Sequence, residues 1–322
     1  MDFINHPVFI CGHPKSGTSL ITALFDGHPE ILSYPEETMF FRRFLPAIEG
    51  KTFEEQLVLA ETLLIHIFEW NSENPPAHQR DYPDRDYSEI SFEAVREEMR
   101  RQIPHEPESP CEFLNTAVTS FGKVSGFLSA ETRHWIEKTP YNEYYADQIF
   151  NWWTGAQCIH IVRDPRDNFI SYQKKHKNWS ATMFGKNWVK SIRAGLENRK
   201  KFGDSRYFIL RFEDLLTNPE ETMQTLTDFI GIEWHESLLL PTRTGDVWRG
   251  NSMFAGEFQG ISQKPLFRWK SELGQFDHAI LQTVCGREMA NLGYSLPELD
   301  RSGFNCQQRM KILREKLISA LH

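Results

Sequence analysis

A short, mostly apolar run that stops at a turn and passes directly into a helix-spaced pattern recurs along this chain, and that recurrence decides the fold class. Residues 7–12, Pro-Val-Phe-Ile-Cys-Gly, are the first such run. A Gly/Pro/Ser turn follows, and then Thr18–Phe25, where Leu20, Ile21, Leu24 and Phe25 fall at helical spacing. In the second unit, 156–178, Cys158-Ile159-His160-Ile161-Val162 reads as a strand buried on both faces. Its Pro165 sits where the first turn of a helix tolerates a missing N–H. In the third, 206–231, Tyr207-Phe208-Ile209-Leu210 is the strand and Asn218-Pro219-Glu220-Glu221 opens the helix. Strands alternating with helices imply right-handed βαβ crossovers, hence an α/β fold with a central parallel sheet flanked by helices.

At 322 residues the length allows one large α/β domain, and residues 1–322 are read as a single domain with helical insertions. The stretch 52–70 places Phe53, Leu57, Ala60, Leu64, Ile67 and Phe68 at helical spacing, and 91–103 reads as a charged helix, with a Pro- and acid-rich segment, 71–90, between them. The whole of 45–130 thus reads as an insertion, and an insertion is where substrate selection is expected. The C-terminal stretch 300–322 carries Met310, Leu313, Leu317 and Leu321 among Arg and Lys, the pattern of a helix packed on the body or of a dimer contact. Oligomeric state is not readable.

Charge narrows the function. There are 36 Lys+Arg against 44 Asp+Glu, so the net charge is 36 − 44 = −8, which argues against nucleic acid as the partner and against long polyanions. The cluster Lys174-Lys175-His176-Lys177 reads as a solvated helix end. No run of about 18 apolar residues exists to cross a bilayer, and the start, Met1 to His6, lacks a signal peptide's basic and apolar regions. A soluble, cytoplasmic protein is expected. Five widely spaced cysteines without a C-x-x-C pair suit reduced thiols. The twelve histidines form no H-E-x-x-H or comparable spacing, with His66, His78, His105 and His134 reading as surface or core residues, so no metal site is expected.

The chemistry begins at Gly12-His13-Pro14-Lys15-Ser16-Gly17-Thr18-Ser19, between the first strand and the first helix. Backbone N–H groups and the positive end of a helix dipole face an anion there, so this is a phosphate cradle. It departs from G-x-x-x-x-G-K-[ST], because Thr18 stands where the lysine belongs and the lysine lies at Lys15. The strand ending at Val162 runs into Arg163 rather than a magnesium-binding carboxylate. A phosphate without a metal clamp is the expected ligand.

Pro14-Lys15-Ser16-Gly17-Thr18-Ser19 resembles the 5′-phosphosulfate loop of the sulfotransferases that use 3′-phosphoadenosine 5′-phosphosulfate (PAPS). Val162-Arg163-Asp164-Pro165-Arg166-Asp167, with Ser171 eight residues after Arg163, resembles the same family's 3′-phosphate motif. An Arg at a strand end and a Ser two helical turns on reach one phosphate together; Asp164 and Arg166 read as a helix-capping pair. Trp135-Ile136-Glu137-Lys138-Thr139-Pro140 resembles the Lys-Thr-Pro element of the Golgi carbohydrate-modifying branch, in which Pro140 stands where the cytosolic branch has a histidine base. Pro35-Glu36-Glu37-Thr38-Met39-Phe40-Phe41 resembles both the Glu-Glu-Thr of tyrosylprotein sulfotransferases and the Glu-x-x-Phe-Phe of heparan sulfotransferases. Both alignments put the base on Glu37, ahead of Glu36.

The resemblance implies a P-loop-like fold, PAPS as donor released as adenosine 3′,5′-bisphosphate, and no metal. Lys15, Ser16, Gly17, Thr18, Ser19, Arg163 and Ser171 are the expected donor-binding residues, and Lys15, Lys138 and Glu37 the catalytic ones. Negative charge building on the bridging oxygen would be met by Lys15, Lys138 and the loop, while Glu37, a partly desolvated carboxylate near two ammonium groups, takes the acceptor's proton. Later matches are looser. Trp248-Arg249-Gly250-Asn251-Ser252 resembles the loop that folds over the nucleotide, which adds Arg249 and Ser252 to the donor site. Arg211-Phe212-Glu213-Asp214-Leu215 has Phe212 where the family's tyrosine can contact adenine, and Arg268-Trp269 falls near a Lys-Trp pair of the tyrosylprotein branch. The acceptor is expected to be a hydroxyl or amine of a small molecule, lipid or glycan, as for a soluble bacterial-type member. Rival readings are a small-molecule kinase using Mg–ATP, which the displaced lysine and the Arg163/Ser171 pair oppose, and a non-catalytic nucleotide-binding module.

Overall fold

Five parallel strands form the central sheet: β1 (Pro7–Cys11), β2 (Ile31–Ser33), β3 (His134–Lys138), β4 (Gln157–Val162) and β5 (Tyr207–Arg211), in the order β2-β3-β1-β4-β5. The computed structural model describes residues 3–64, 87, 89–250, 260–299 and 302–320. β1 lies at the centre, paired on one side with β3 (Ile10 opposite Lys138) and on the other with β4 (Cys11 opposite His160). The chain after β1 crosses β3 to reach β2, and later returns to β4 on the far side. β1 is therefore the point at which strand order reverses, and ligands of such sheets bind beyond the carboxyl ends of the strands there.

Strand side chains alternate between two cores, as a period of two requires. Val8, Ile10, Ile136, Ile159, Ile161 and Leu210 face the helices Thr18–Phe25 and Pro219–Ile230. Phe9, Leu32, Trp135, Cys158 and Tyr207 face the opposite way, into a cluster with Phe113, Leu114, Ala117, Val118 and Phe121 of the helix Cys111–Ser125. Each of those large side chains contributes roughly 1.5–3 kcal/mol on full burial. Part of the 45–130 stretch is thus a covering layer of the sheet. Its helices Phe53–Ala60 and Phe92–Gln102 start where the sequence indicates, at Thr52, which forms a capping box with Glu55, and at Ser91, whose hydroxyl accepts from the Ala94 N–H. Residues 65–86 lie outside the described residues, and His66, Ile67, Phe68, His78 and most of the Pro-rich segment 71–90 fall there.

A third core joins the helices Pro165–Lys175, Ala181–Phe202 and Gln275–Asn291 through Phe169, Trp188, Ile192, Ile280 and Met289. The helix Ala181–Phe202 has no counterpart in the sequence reading. Its interior glycines weaken helical propensity, and one of them has a packing reason: a Cβ on Gly195 would stand 2.1 Å from the ring nitrogen Nδ1 of His160 on β4. The tail does form a helix, Cys306–Ala320, but it packs through Ile312, whereas Met310, Leu313 and Leu317 are exposed. The apolar row points outward, as a dimer contact requires and a face packed on the body does not, and the helix rests on its other side, where Glu315 pairs with Lys186. Lys174, Lys175 and Lys177 are exposed at a helix end.

Among the described residues no helix is long and apolar enough to cross a membrane. All five cysteines are free, four of them buried and Cys306 exposed.

Candidate active site

Backbone strain marks the loop after β1. Gly12 has φ 130°, Lys15 φ 67° and Gly17 φ 112°. Gly12 and Gly17 also have no room for a side chain: a Cβ would lie 2.3 Å from the Ile161 carbonyl oxygen at the first and 2.2 Å from the Phe212 ring at the second. Two side chains take up the loop's carbonyls. Asn168 Nδ2 donates to the Pro14 oxygen at 3.0 Å, and Arg163 Nη1 to the Lys15 oxygen at 3.1 Å. Removing those acceptors from the cradle favours an anion among the N–H groups at the start of the helix Thr18–Phe25.

Arg163, 5% exposed at the end of β4, is held on every side. Its Nη1 also reaches Ser171 Oγ at 3.2 Å, its Nη2 donates to the Pro265 carbonyl at 3.0 Å, and its guanidinium lies 4.9 Å from the centre of the Phe212 ring. Phe212 thus fills the space between Gly17 and Arg163. Burial lowers the affinity of Arg163 for its proton, while Asp167 and Glu213 oppose that. Asp164 and Arg166 pair with each other at 2.6 Å, and the Asp164 carboxylate caps its helix by accepting from the Arg166 N–H. Arg166 stacks on Trp269, 3.9 Å from the ring centre. Asp167 accepts from the N–H groups of Phe267 and Trp269, which fixes the 265–269 segment beside Arg163.

On the other side of β1, Lys138 at the end of β3 donates to Glu37 Oε1 at 2.7 Å. The Glu37 side chain is 30% exposed, whereas that of Glu36 is 7% exposed. Glu36 accepts from Tyr87 Oη at 2.8 Å and faces Arg243 Nη1 at 3.4 Å. Of the two carboxylates only Glu37 opens to the site. Between these segments lies Glu137, fully buried, whose Oε1 accepts from Thr38 Oγ1 at 2.8 Å, from the Thr38 N–H at 3.3 Å and from Thr139 Oγ1, and whose Oε2 accepts from Asn142 Nδ2 at 2.8 Å. Burial pushes its carboxyl up, and the bonds from Thr139 and Thr38 pull it down. Met39 (φ 54°) and Tyr141 (φ 73°) adopt left-handed conformations beside it. With Lys15, three non-glycine residues in this rare conformation surround one site, as strain tends to at functional sites.

A second buried carboxylate, Glu143, sits beneath the loop. It accepts from the Gly12 N–H at 3.1 Å and from Ser191 Oγ. Ser191 lies 3.5 Å from His160 Nε2, and His160 Nδ1 is 2.9 Å from Tyr207 Oη. Burial pushes Glu143 up to about 7 and His160 down to about 3. Neither Glu137 in this role nor Glu143 was singled out from the sequence. Both are carboxylates within five residues of Lys138 in runs of bulky side chains, and that setting was the available signal.

The arrangement fits a bis-phosphorylated nucleotide. Among the described residues, Ser16 Oγ and Arg163 Nε are buried without a hydrogen-bond partner, one on the loop and one on the strand that flanks it. Buried orphan polar atoms of this kind call for a ligand. Ser19 and Lys138 line one small cleft with Pro35 and Arg243, so the loop helix, β3 and the segment carrying Glu37 converge. Arg249 is exposed after the short strand Asp246–Val247, and Ser252 lies outside the described residues. No group of three or more His, Cys, Asp or Glu among the described residues is placed to hold a metal.

The family model described as "Sulfotransferase family" matches residues 7–236. The chain belongs to the sulfotransferase family, and its sheet and loop are those of the P-loop-like sulfotransferase fold. Among known relatives it is similar to an omega-hydroxy-beta-dihydromenaquinone-9 sulfotransferase of Mycobacterium bovis, 24% identical over 251 residues, which are 70% of this chain and 63% of the relative. It is also similar to protein-tyrosine sulfotransferase 2 of Gallus gallus, 22% identical over 72% of this chain and 53% of the relative. The alignments thus span less than two thirds of these relatives' length. Among solved structures, the sulfotransferase domain of the Synechococcus PCC 7002 olefin synthase superposes with a TM-score of 0.51 at 21% identity, covering 91% of this chain and 96% of that one. The sulfotransferase domain from the curacin biosynthetic pathway gives 0.53 at 18% identity over 91% and 99%.

Proposed function

We propose that this protein transfers a sulfuryl group from PAPS to a hydroxyl of a small-molecule or lipid acceptor, with Glu37 as the base and no metal. The observation that carries the proposal is the 2.7 Å pair of Lys138 and the half-open Glu37 at the strand ends that flank the phosphate loop. The loop N–H groups, Lys15 and the hydroxyls of Ser16, Thr18 and Ser19 are assigned to the 5′ end of the donor. Arg163 and Ser171 are assigned to its 3′-phosphate, with Arg249 and Ser252 as further contacts. When bound, the donor supplies an electrophilic sulfur attached to a phosphate leaving group.

Lys138 is suited to serve both ends of the reaction, because an ammonium has three N–H donors and Glu37 uses one. Lys15 and Lys138 neutralise charge that develops on the bridging oxygen, and Glu37 takes the acceptor's proton. The acceptor class rests on the mycobacterial relative, named for a lipid alcohol, and the avian one, named for protein tyrosine. Acceptor selection is assigned to the 45–130 stretch, which reaches the site through Tyr87 and Glu36.

The test is transfer from ³⁵S-labelled PAPS to a panel of a long-chain ω-hydroxy lipid, p-nitrophenol and a tyrosine peptide, in the presence of EDTA. Glu37→Gln is expected to lose turnover by about 100-fold or more while still binding adenosine 3′,5′-bisphosphate. Near wild-type turnover in that variant would remove the base assignment, and a requirement for magnesium and ATP would restore the kinase reading.

A further inference from the structure

We infer that Glu137 is a positioning residue that sets the geometry of the Lys138–Glu37 pair; the inference rests on the base assignment to Glu37. The two members of the pair are 101 residues apart in sequence and belong to different segments. Thr38 directly follows Glu37 and Thr139 directly follows Lys138. Both threonine hydroxyls donate to one oxygen of Glu137, and the Thr38 N–H donates to the same atom. A single buried carboxylate therefore ties the two backbones together at the residues next to the reacting pair. The Met39 N–H, 3.4 Å from Thr139 Oγ1, makes a second link between the same segments.

The choice of a carboxylate is informative. A side chain buried at 0% exposure would stabilise the fold more cheaply as a hydrocarbon, since a buried charge carries a large desolvation cost. An ionised carboxylate is an acceptor at every lone pair, so it can take four donors at once where glutamine, with an NH₂ in place of one oxygen, cannot. Those donors come from Thr38, Thr139 and Asn142, the residues that bracket the site. They flank Met39 and Tyr141, which are both in left-handed conformations. Misplacing a reacting group by about 1 Å costs on the order of 100-fold in rate, so a clamp at this point acts on turnover and not on donor affinity.

Thr38→Val removes one hydroxyl without changing shape, Thr38→Ser keeps it, and Glu137→Gln puts an NH₂ in place of one acceptor oxygen. Turnover is read with water as acceptor: water attacks the sulfur of ³⁵S-labelled PAPS, the bond from sulfur to the bridging phosphate oxygen breaks with its electron pair leaving on that oxygen, a proton passes to Glu37, and sulfate and adenosine 3′,5′-bisphosphate are released. Thr38→Val and Glu137→Gln are expected to lower kcat by about 100-fold, with bisphosphate affinity within about twofold of wild type and Thr38→Ser near wild type. If Glu137→Gln does not fold, the threonine variants decide. Unchanged kcat in Thr38→Val, or an equal loss of bisphosphate affinity, overturns the inference while Glu37→Gln remains inactive. An active Glu37→Gln removes the base assignment itself, and the inference with it. A crystal structure of Thr38→Val with the bisphosphate reads the same point without turnover: a Glu37 carboxylate moved away from Lys138 supports the clamp, and retention of the 2.7 Å contact refutes it.

Discussion

Replacing Glu143 by glutamine should change the pH dependence of stability in a defined way. Glu143 is fully buried under the phosphate loop, and burial raises its carboxyl from 4.5 to about 7 against the opposing bonds from Ser191 and Gly12. The folded state therefore keeps a proton that the unfolded chain gives up near pH 4.5. Stability from this group is complete below pH 4.5 and is lost as pH rises through 7, at about 1.4 kcal/mol per pH unit, or about 3 kcal/mol in total. Three histidines run the other way. Burial lowers His13 and His134 to about 4 and His160 to about 3. The unfolded chain binds more protons than the folded one below about pH 6.5, so their contribution is present above that pH and is lost on acidification. They mask Glu143 in the wild-type profile but cancel in a difference. Glutamine retains an oxygen for the Gly12 N–H and offers an N–H to Ser191 Oγ, which can then donate to His160. Urea unfolding of both proteins between pH 5.5 and 7.5 should show the variant gaining about 2 kcal/mol on wild type across the interval and nothing further above it. Parallel profiles, with a constant difference from pH 5.5 to 7.5, would refute the argument that the Glu143 carboxyl is held protonated by burial.

Other outcomes follow from single contacts. Adenosine 3′,5′-bisphosphate at 100 times its dissociation constant should stabilise the protein by about 2.7 kcal/mol, more than 5′-ADP at the same concentration. That gain should vanish in Arg163→Ala, read by thermal unfolding, because Arg163 spans Lys15, Ser171 and Pro265. Gly17→Ala places a methyl 2.2 Å from the Phe212 ring at φ 112° and should cost about 2–4 kcal/mol; a melting temperature equal to wild type would contradict the packing described for Phe212. Tyr87→Phe removes the bond to buried Glu36 and should cost about 1 kcal/mol in urea unfolding; a variant as stable as wild type would refute the contribution of that bond.

The local grammar of the chain carried a large part of the architecture. β1, β4 and β5 are mostly apolar runs whose turns and prolines announce the helices behind them, because strands of a parallel sheet covered by helices need apolar residues at most positions. β2 was not legible, since three residues make too short a pattern, and β3 was read only as a motif because Glu137 and Lys138 interrupt its apolar run. The periodicity of the helix Cys306–Ala320 shows that an apolar stripe exists and not whether it meets the body or faces outward, and the structure leaves Met310, Leu313 and Leu317 exposed.

The candidate site divides along the same line. Sequence alone determined the phosphate loop and the Arg163–Ser171 spacing, because those residues are neighbours along the chain and local geometry brings them together. The tertiary structure decided which of Glu36 and Glu37 stays partly exposed beside Lys138. Two adjacent residues of an extended segment point opposite ways, and which of them faces the site depends on Tyr87 and Arg243, brought in from 51 and 207 residues away to occupy Glu36. It also decided that Glu37 meets Lys138, since β3 enters the sheet between β2 and β1 and carries Lys138 to a segment 101 residues earlier. Pairing of parallel strands is set by long-range packing, and no window of sequence contains both partners.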